Sequence, residues 1–155
     1  MLSQRDLDVW QSNGFVRLNG FYDDSETQQI REWVEEISSS NESAGRWLHH
    51  REQTNDGNVR LCRTENFIPF HDGMRLLLTS GKLSEAVSRL LGEPSVLYKE
   101  KINYKYPGGG GYVAHQDAPA YKFIQHHVTC LVAVDAMTRQ NGCLEFCSGR
   151  HREGL

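Results

Sequence analysis

The stretch Gly110-Gly111-Tyr112-Val113-Ala114-His115-Gln116-Asp117 places an imidazole and a carboxylate two residues apart, directly after a glycine-rich run. On a β-strand alternate side chains share a face, so His115 and Asp117 would project in the same direction. A histidine and a carboxylate on a strand are two of the three ligands in the facial triad that binds non-haem Fe(II). The spacing therefore favours a metal site. The alternative is a histidine and an aspartate on the surface of a strand.

A predicted strand before this stretch, residues 98–106, carries cations on one of its two faces. Strict alternation places four polar side chains together, namely Lys99, Lys101, Asn103 and Lys105. One interpretation is a face solvated by water, where lysine is usually found. The other is a group of cations beside a metal ion that holds the carboxylates of a co-substrate. Alternation alone does not decide between the two.

Helix signals dominate residues 1–94. Ser3 and Asp6 predict a capped helix that ends at Gly14, and a second helix begins at Asp23 or Asp24. The second helix has a single apolar stripe at helical spacing, formed by Ile30, Trp33, Val34 and Ile37.

Further helices are predicted at residues 73–78 and 82–91, and residues 41–70 are expected to be polar and irregular. After Pro94 the pattern changes to strands, at 96–106, 112–117, 128–134 and 143–147, with a short one earlier at 15–18. We therefore expect one α+β domain with a mainly β core over residues 1–155. In it a mostly helical part, 1–94, packs on a β-rich part, 95–155.

Composition places the chain among ordinary globular proteins. Its 155 residues suffice for one core, and a net charge of -3 gives no support for binding nucleic acid or an anionic membrane. No apolar run approaches the roughly 18 residues that a membrane-spanning helix needs. The cysteines, Cys62, Cys130, Cys143 and Cys147, are few and irregularly spaced. We expect them to be reduced thiols in a cytoplasmic protein.

Cys143, Cys147 and His151 invite a zinc interpretation, but strand geometry argues against it. On a strand the two cysteines would be about 13 Å apart, at about 3.3 Å per residue. Zinc needs both sulfurs about 2.3 Å from one ion. The adjacent histidines His126 and His127 would point to opposite faces of a strand, so at most one could face the metal motif. We expect a structural role for them.

Three ordered motifs resemble the phytanoyl-CoA dioxygenase-like family. They are residues 99–107 with the glycine run that follows, His115-Gln116-Asp117, and residues 141–146 followed by Gly149-Arg150-His151. The resemblance covers most of the chain. It implies Fe(II) as cofactor and 2-oxoglutarate as co-substrate, on a double-stranded β-helix, or jelly-roll, core with N-terminal helices packed on it. It also implies that O2 and 2-oxoglutarate are used to hydroxylate a C–H bond of a small molecule, with release of succinate.

The resemblance also implies roles for individual residues. His115 and Asp117 match the family's iron-binding histidine and aspartate. The positions that match contacts to 2-oxoglutarate or the pocket beside the metal are Asn103, Lys101, Gln116 and Thr129. Lys99 matches a position that faces substrate, and with its neighbouring lysines it hints at a small anionic substrate. His151 matches a structural element around the site, which favours a loop organiser over a metal ligand.

The family's distal iron-binding histidine and its 2-oxoglutarate-binding arginine lie further downstream than Leu155. No residue of this chain can be assigned to them, so we expect the domain to be incomplete at its C-terminal side. The alternative to an active oxygenase is a catalytically inactive fragment or truncated homologue. A partner chain that supplies the missing strands, in an obligate oligomer, is a third reading.

Overall fold

A computed structural model describes residues 2–41, 45–124 and 126–154, and these residues form four α-helices and three β-strands. The helices are α1 (Gln4–Asn13), α2 (Asp24–Ser39), α3 (Asp72–Thr79) and α4 (Gly81–Leu91), and the strands are β1 (Leu48–Gln53), β2 (Val59–Glu65) and β3 (Lys101–Asn103). None of these helices is long and apolar enough to cross a lipid bilayer. The strands form one small antiparallel sheet in the order β1-β2-β3.

The predicted starts of the first two helices and the predicted end of α1 are confirmed, because local capping residues set them. The Asp6 amide donates to Ser3 Oγ at 3.2 Å, and the Ser3 amide donates to Asp6 Oδ2 at 2.8 Å. Gly14 ends α1 in the left-handed conformation, with φ of 80°. Asp23 and Glu26 form the same reciprocal cap at the start of α2. Each cap satisfies amides that the first turn of a helix leaves without a partner.

The apolar stripe of α2 faces the core, as predicted. Ile30 and Ile37 are buried on it, and α2 packs against α3 and β2. The core cluster consists of Ile37, Trp47, Phe67 and Met74, with Trp33, Val34, Ile68, Leu77, Leu78 and Ile102 packed against it. Because Ile102 belongs to β3, this core joins the helices to the sheet.

The expectation that residues 41–70 are irregular is wrong for the hairpin formed by β1 and β2. The two strands pair across the predicted turn at residues 55–57, with His50 opposite Arg63 and Glu52 opposite Arg60. β1 reads Leu-His-His-Arg-Glu-Gln, so it has almost no apolar alternation from which a strand could be predicted. Residues 1–94 therefore contain two of the described strands in addition to the helices.

The β-rich part predicted at residues 95–155 is reduced, among the described residues, to one three-residue strand. β3 pairs antiparallel with β2, with Ile102 opposite Thr64. The described residues at 15–18, 112–117, 128–134 and 143–147 do not form strands. A strand needs a neighbour for its backbone N–H and C=O groups, and apolar alternation cannot supply one. Three strands do not show a double-stranded β-helix, which stays an expectation of the resemblance.

Residues near the end of the described chain pack on the carboxyl end of α1. The ring of Phe146 stacks on Phe15, with centroids 4.8 Å apart. The Gly149 amide donates to the last carbonyl of α1 at 2.8 Å. The His151 ring lies so close to Gly14 that a Cβ at Gly14 would be 2.2 Å from its Nδ1. These contacts connect the two ends of the described chain.

Candidate metal site

His115 and Asp117 lie side by side, although no strand forms around them. Nε2 of His115 is 3.5 Å from Oδ1 of Asp117, and the two side chains are 55% and 40% exposed. Two ligands at adjacent octahedral positions, each about 2.1 Å from an ion, are about 3.0 Å apart. The two atoms thus need to approach by only about half an ångström to bind one ion together.

A backbone hydrogen bond selects which nitrogen of His115 is free to bind a metal. Nδ1 is 2.7 Å from the carbonyl oxygen of Val113. A carbonyl can only accept, so the tautomer assigned from this contact carries its proton on Nδ1. The lone pair of a neutral imidazole is then on Nε2, the nitrogen that faces Asp117. Metal-binding histidines commonly have their other nitrogen fixed in this way.

The carboxylate of Asp117 is oriented by Thr129. The Thr129 hydroxyl donates to Asp117 Oδ2 at 2.9 Å. This bond leaves Oδ1 facing His115 Nε2. Thr129, predicted from the resemblance to line the cofactor pocket, thus contacts a candidate ligand directly.

The pair supplies one nitrogen and one oxygen donor, which suits two of the three protein positions in a facial triad for Fe(II). Over residues 2–41, 45–124 and 126–154, no group of three His, Cys, Asp or Glu side chains could hold one metal ion. The described residues therefore fit the proposed metal through two ligands.

The glycine loop that precedes the pair is held by the β1–β2 hairpin. The Gly110 amide donates to Glu52 Oε2 at 3.2 Å, and Lys105 Nζ donates to the Gly110 carbonyl at 2.9 Å. The Asn55 amide donates to the carbonyl of Gly108, which has φ of +77°. Glu52 cannot be identified from the sequence, because 58 positions separate it from Gly110 and no local pattern links them.

Of the remaining candidates, Lys101 and Asn103 lie on β3, and Lys99 lies two residues before it. Lys99 Nζ is 3.7 Å from Glu65 Oε1, which is also 3.1 Å from Arg63 Nε. Lys101 and Asn103 are exposed on β3, opposite Glu65 and Arg63 of β2. Lys99 and Lys101 thus both lie beside Glu65.

Gln116 lies between the two candidate ligands in the sequence, but its side chain forms a hydrogen bond with a residue outside this pair. Its Nε2 donates to the carbonyl of Gly154 at 2.8 Å. Within the described part of the chain, Thr129 is the member of the predicted pocket set that is hydrogen-bonded to the His115–Asp117 pair.

An aromatic cluster lies near Asp117. The ring centroid of Tyr98 is 5.3 Å from that of Tyr121, and the ring centroid of His127 is 5.5 Å from that of Tyr121. Partial burial, followed by the Tyr121 phenol and the Asp117 carboxylate, raises the pKa of Tyr98 above its usual value. The ring of His127 packs edge-on against those of Tyr98 and Tyr121.

The fold and the site define a protein with helices on a small sheet and a histidine–aspartate pair whose Nε2 and Oδ1 atoms face each other at 3.5 Å. The family model for phytanoyl-CoA dioxygenase (PhyH) matches residues 10–155. The chain therefore belongs to the phytanoyl-CoA dioxygenase family.

Three curated relatives illustrate the relationship. A methylphosphonate hydroxylase of Gimesia maris is 55% identical over 154 residues, which is 99% of this chain and 59% of the relative. A 2-aminoethylphosphonate dioxygenase of an uncultured bacterium is 42% identical over 97% of this chain and 59% of its own length. A probable alpha-ketoglutarate-dependent hypophosphite dioxygenase of Stutzerimonas stutzeri is 27% identical over 90% of this chain and 50% of its own length.

The chain thus spans between 50% and 59% of the length of these relatives. No solved structure matches it significantly.

Proposed function

We propose that the protein is an Fe(II)- and 2-oxoglutarate-dependent oxygenase that hydroxylates a C–H bond of a small phosphonate. The observation that carries the proposal is the His115–Asp117 pair, with Nε2 and Oδ1 3.5 Å apart. Family membership and the names of the relatives support an oxygenase. The name of the hypophosphite dioxygenase supports dependence on 2-oxoglutarate. Because the chain spans 59% of its two more similar relatives, the proposed activity is that of the whole protein.

Bound Fe(II) and 2-oxoglutarate would supply the oxidising chemistry, with O2 incorporated into the product and into succinate and with release of CO2. The residues of the chain would hold and orient these groups. His115 would bind through Nε2, because the Val113 carbonyl keeps the proton on Nδ1. Asp117 would bind through Oδ1, because Thr129 holds Oδ2. Asn103 and Lys101 are proposed to contact 2-oxoglutarate, and Gln116 to line the pocket.

A phosphonate substrate is supported by the names of two relatives and by the cations around β3. We assign the substrate contact to Lys99. Its ammonium group is 3.7 Å from Glu65 Oε1 and its side chain is 44% exposed, which is a loose pairing. A phosphonate carries up to two negative charges on three oxygens, so it can compete with one carboxylate for this lysine.

The proposal is tested by measuring succinate and hydroxylated product from the full-length protein with Fe(II), 2-oxoglutarate and O2. The substrate panel contains methylphosphonate, 2-aminoethylphosphonate, a simple carboxylic acid and an acyl thioester. We expect a phosphonate to give product and succinate in equal amounts. His115→Ala and Asp117→Ala should abolish both, while Thr79→Val on α3 serves as a control.

Two outcomes would contradict parts of the proposal. Succinate formation that only neutral or cationic compounds stimulate would exclude an anionic substrate. If no Fe(II)-dependent succinate forms with any compound of the panel, or in the absence of a substrate, the oxygenase is excluded and an inactive homologue is favoured.

Two further features of the whole protein are proposals. The four cysteines are free, which supports a reducing, cytoplasmic location. Family membership supports a double-stranded β-helix in the whole protein.

A further inference from the structure

Gly110 is held at both of its backbone polar groups by side chains of opposite charge. Its amide donates to Glu52 Oε2 at 3.2 Å, and its carbonyl accepts from Lys105 Nζ at 2.9 Å. Both bonds involve an ionised partner, which makes them stronger than bonds between neutral groups. We call Glu52, Gly110 and Lys105 the glycine clamp.

Two glycines of this loop, Gly109 and Gly110, leave room for the Glu52 carboxylate that packs on them. A Cβ at Gly109 would be 2.6 Å from Glu52 Oε1, and one at Gly110 would be 3.2 Å from Oε2. Gly111, by contrast, has no atom within 4 Å of a Cβ placed on it. Close approach of Glu52 to the backbone therefore depends on Gly109 and Gly110. A run of glycines has more conformational freedom than any other sequence, so without such contacts the loop would not keep a single conformation.

A continuous series of contacts leads from the glycine clamp to the candidate ligands. Lys105 Nζ lies 5.8 Å from the ring centroid of Tyr112, within cation–π distance. The Tyr112 ring centroid is 6.2 Å from that of His115. The clamp thus fixes the backbone five residues before His115 and also contacts a ring that packs beside its imidazole.

We infer that Glu52 and Lys105 are positioning residues of the metal site, which hold the glycine loop so that His115 and Asp117 meet at one ion. The inference rests on the proposed metal role of that pair. Glu52 lies on β1, far from the metal motif in the sequence, and it acts through Gly110 without contacting the metal. The hairpin is thereby part of the support of the site.

The test is Co(II) binding, measured by calorimetry in the full-length protein and its variants. Glu52→Gln keeps the size of the side chain and removes its charge. It should raise the dissociation constant several-fold, up to about the 10-fold loss that is typical when a residue bonded directly to a metal ligand is changed. Gly109→Ala should have a similar effect, because its methyl group displaces the Glu52 carboxylate. Gly111→Ala is the matched control in the same loop and should leave the dissociation constant unchanged.

Two further measurements separate positioning from a general loss of stability. In the Glu52→Ala background, Gly109→Ala should weaken Co(II) binding much less than it does in the wild type. The carboxylate is then absent, and the contact that remains is with the Tyr106 carbonyl oxygen, 3.1 Å from the added Cβ. The Gly110 amide should exchange with solvent hydrogen faster in Glu52→Gln, while the urea midpoint of the variant stays near that of the wild type.

The results also separate this inference from the proposed function. If the wild type binds Co(II) and Glu52→Gln and Gly109→Ala bind it equally well, the clamp has no positioning role, and the oxygenase proposal is unaffected. If the wild type binds no Co(II), the metal site itself is refuted, and the inference with it.

Discussion

Each of the two candidate ligands has one polar atom bonded to the protein and one directed at its neighbour. His115 uses Nδ1 for the Val113 carbonyl, and Asp117 uses Oδ2 for the Thr129 hydroxyl. The two remaining atoms, Nε2 and Oδ1, face each other at 3.5 Å. Fixing ring and carboxylate in advance reduces the conformational entropy that binding a metal would otherwise cost.

Thr129→Val should weaken Co(II) binding about 10-fold, because the Asp117 carboxylate then loses the donor that orients it. Calorimetric titration of the full-length protein measures this change. Thr79→Val is the matched control, since the Thr79 hydroxyl donates to a carbonyl within α3. Equal affinity in Thr129→Val and the wild type would show that the hydroxyl does not orient the ligand.

Gly14→Ala should destabilise the protein more than Gly92→Ala. Both glycines end helices in the left-handed conformation, with φ of 80° and 79°, so both substitutions incur strain of about 1–2 kcal/mol. At Gly14 the added Cβ would also be 2.2 Å from His151 Nδ1, whereas no atom lies within 4 Å at Gly92. Overpacking of this kind adds about 1–3 kcal/mol. Urea unfolding measures both differences.

The control for the Gly14 prediction is the background His151→Gly, because the Cβ of His151 would also lie 3.0 Å from the Cβ added at Gly14. Removing the whole side chain should make the cost of Gly14→Ala similar to that of Gly92→Ala. If the two glycine variants are equally stable in the wild-type background, the contact between His151 and the end of α1 is not formed in solution.

At the scale of the elements, the sequence predicts what local contacts determine. Ser3 with Asp6, and Asp23 with Glu26, lie three residues apart, so the helix starts can be read from the sequence. The β1–β2 hairpin cannot, because the polar sequence of β1 becomes a strand only by pairing with β2. The same reason explains the predicted strands that do not form, for which alternation alone supplied no partner.

The residues of the candidate site also divide into those that the sequence predicts and those that it does not. His115 and Asp117 could be predicted because they lie two residues apart in one motif. Thr129 was identified by resemblance, but its bond to Asp117 spans 12 positions. Glu52 could not be predicted, since nothing near it in the sequence indicates that the chain returns to it at Gly110.

The turn of the hairpin should make stability depend on pH. Asp56 accepts hydrogen bonds from the Thr54 hydroxyl, from the Asn58 amide and side chain, and from Arg60. These hydrogen bonds hold the pKa of Asp56 well below its usual range. The bond from the Thr54 hydroxyl is the largest cause, followed by those from Asn58 and Arg60. Because the pKa of Asp56 is lower in the folded state, its carboxylate stabilises the folded protein at pH values above the unfolded pKa of about 3.9. This stabilisation is lost as pH falls below that value.

Urea midpoints of the wild type and Asp56→Asn between pH 2 and pH 7 measure the effect. The variant should be less stable than the wild type at pH 7, and the difference should shrink as pH falls below about 4. Glu93→Gln, which changes an exposed carboxylate after α4, is the control and should follow the wild type. A difference that is constant over the whole pH range would contradict the prediction.

At the scale of the whole molecule, the helices and the hairpin enclose the core, whereas many apolar side chains after β3 are exposed. Phe67 and Ile37 are fully buried between α2, α3 and the sheet. Val113 and Phe123, by contrast, are 86% and 77% exposed. Exposed apolar surface of this kind is a feature of interaction sites and of ligand-binding grooves.

The described surface should therefore bind an apolar dye at the aromatic cluster. Phe123 packs edge-on against Tyr98 and Tyr121 while remaining largely exposed. Phe123→Ser should lower the fluorescence of bound anilinonaphthalene sulfonate in this 155-residue chain. Leu76→Ser, on an α3 residue that is 55% exposed, is the control and should change it little. Equal fluorescence in Phe123→Ser and the wild type would show that this cluster is covered in solution.

The hydrogen bond from His115 to Val113 has a consequence for how this sequence can diverge. The acceptor is a main-chain oxygen, so no exchange of side chain at position 113 deletes it. The side chain of Val113 is itself almost entirely in solvent. Homologous sequences can therefore vary at position 113 while the same nitrogen of the histidine remains available. An alignment would then show no conserved side chain at the position that determines which nitrogen is free.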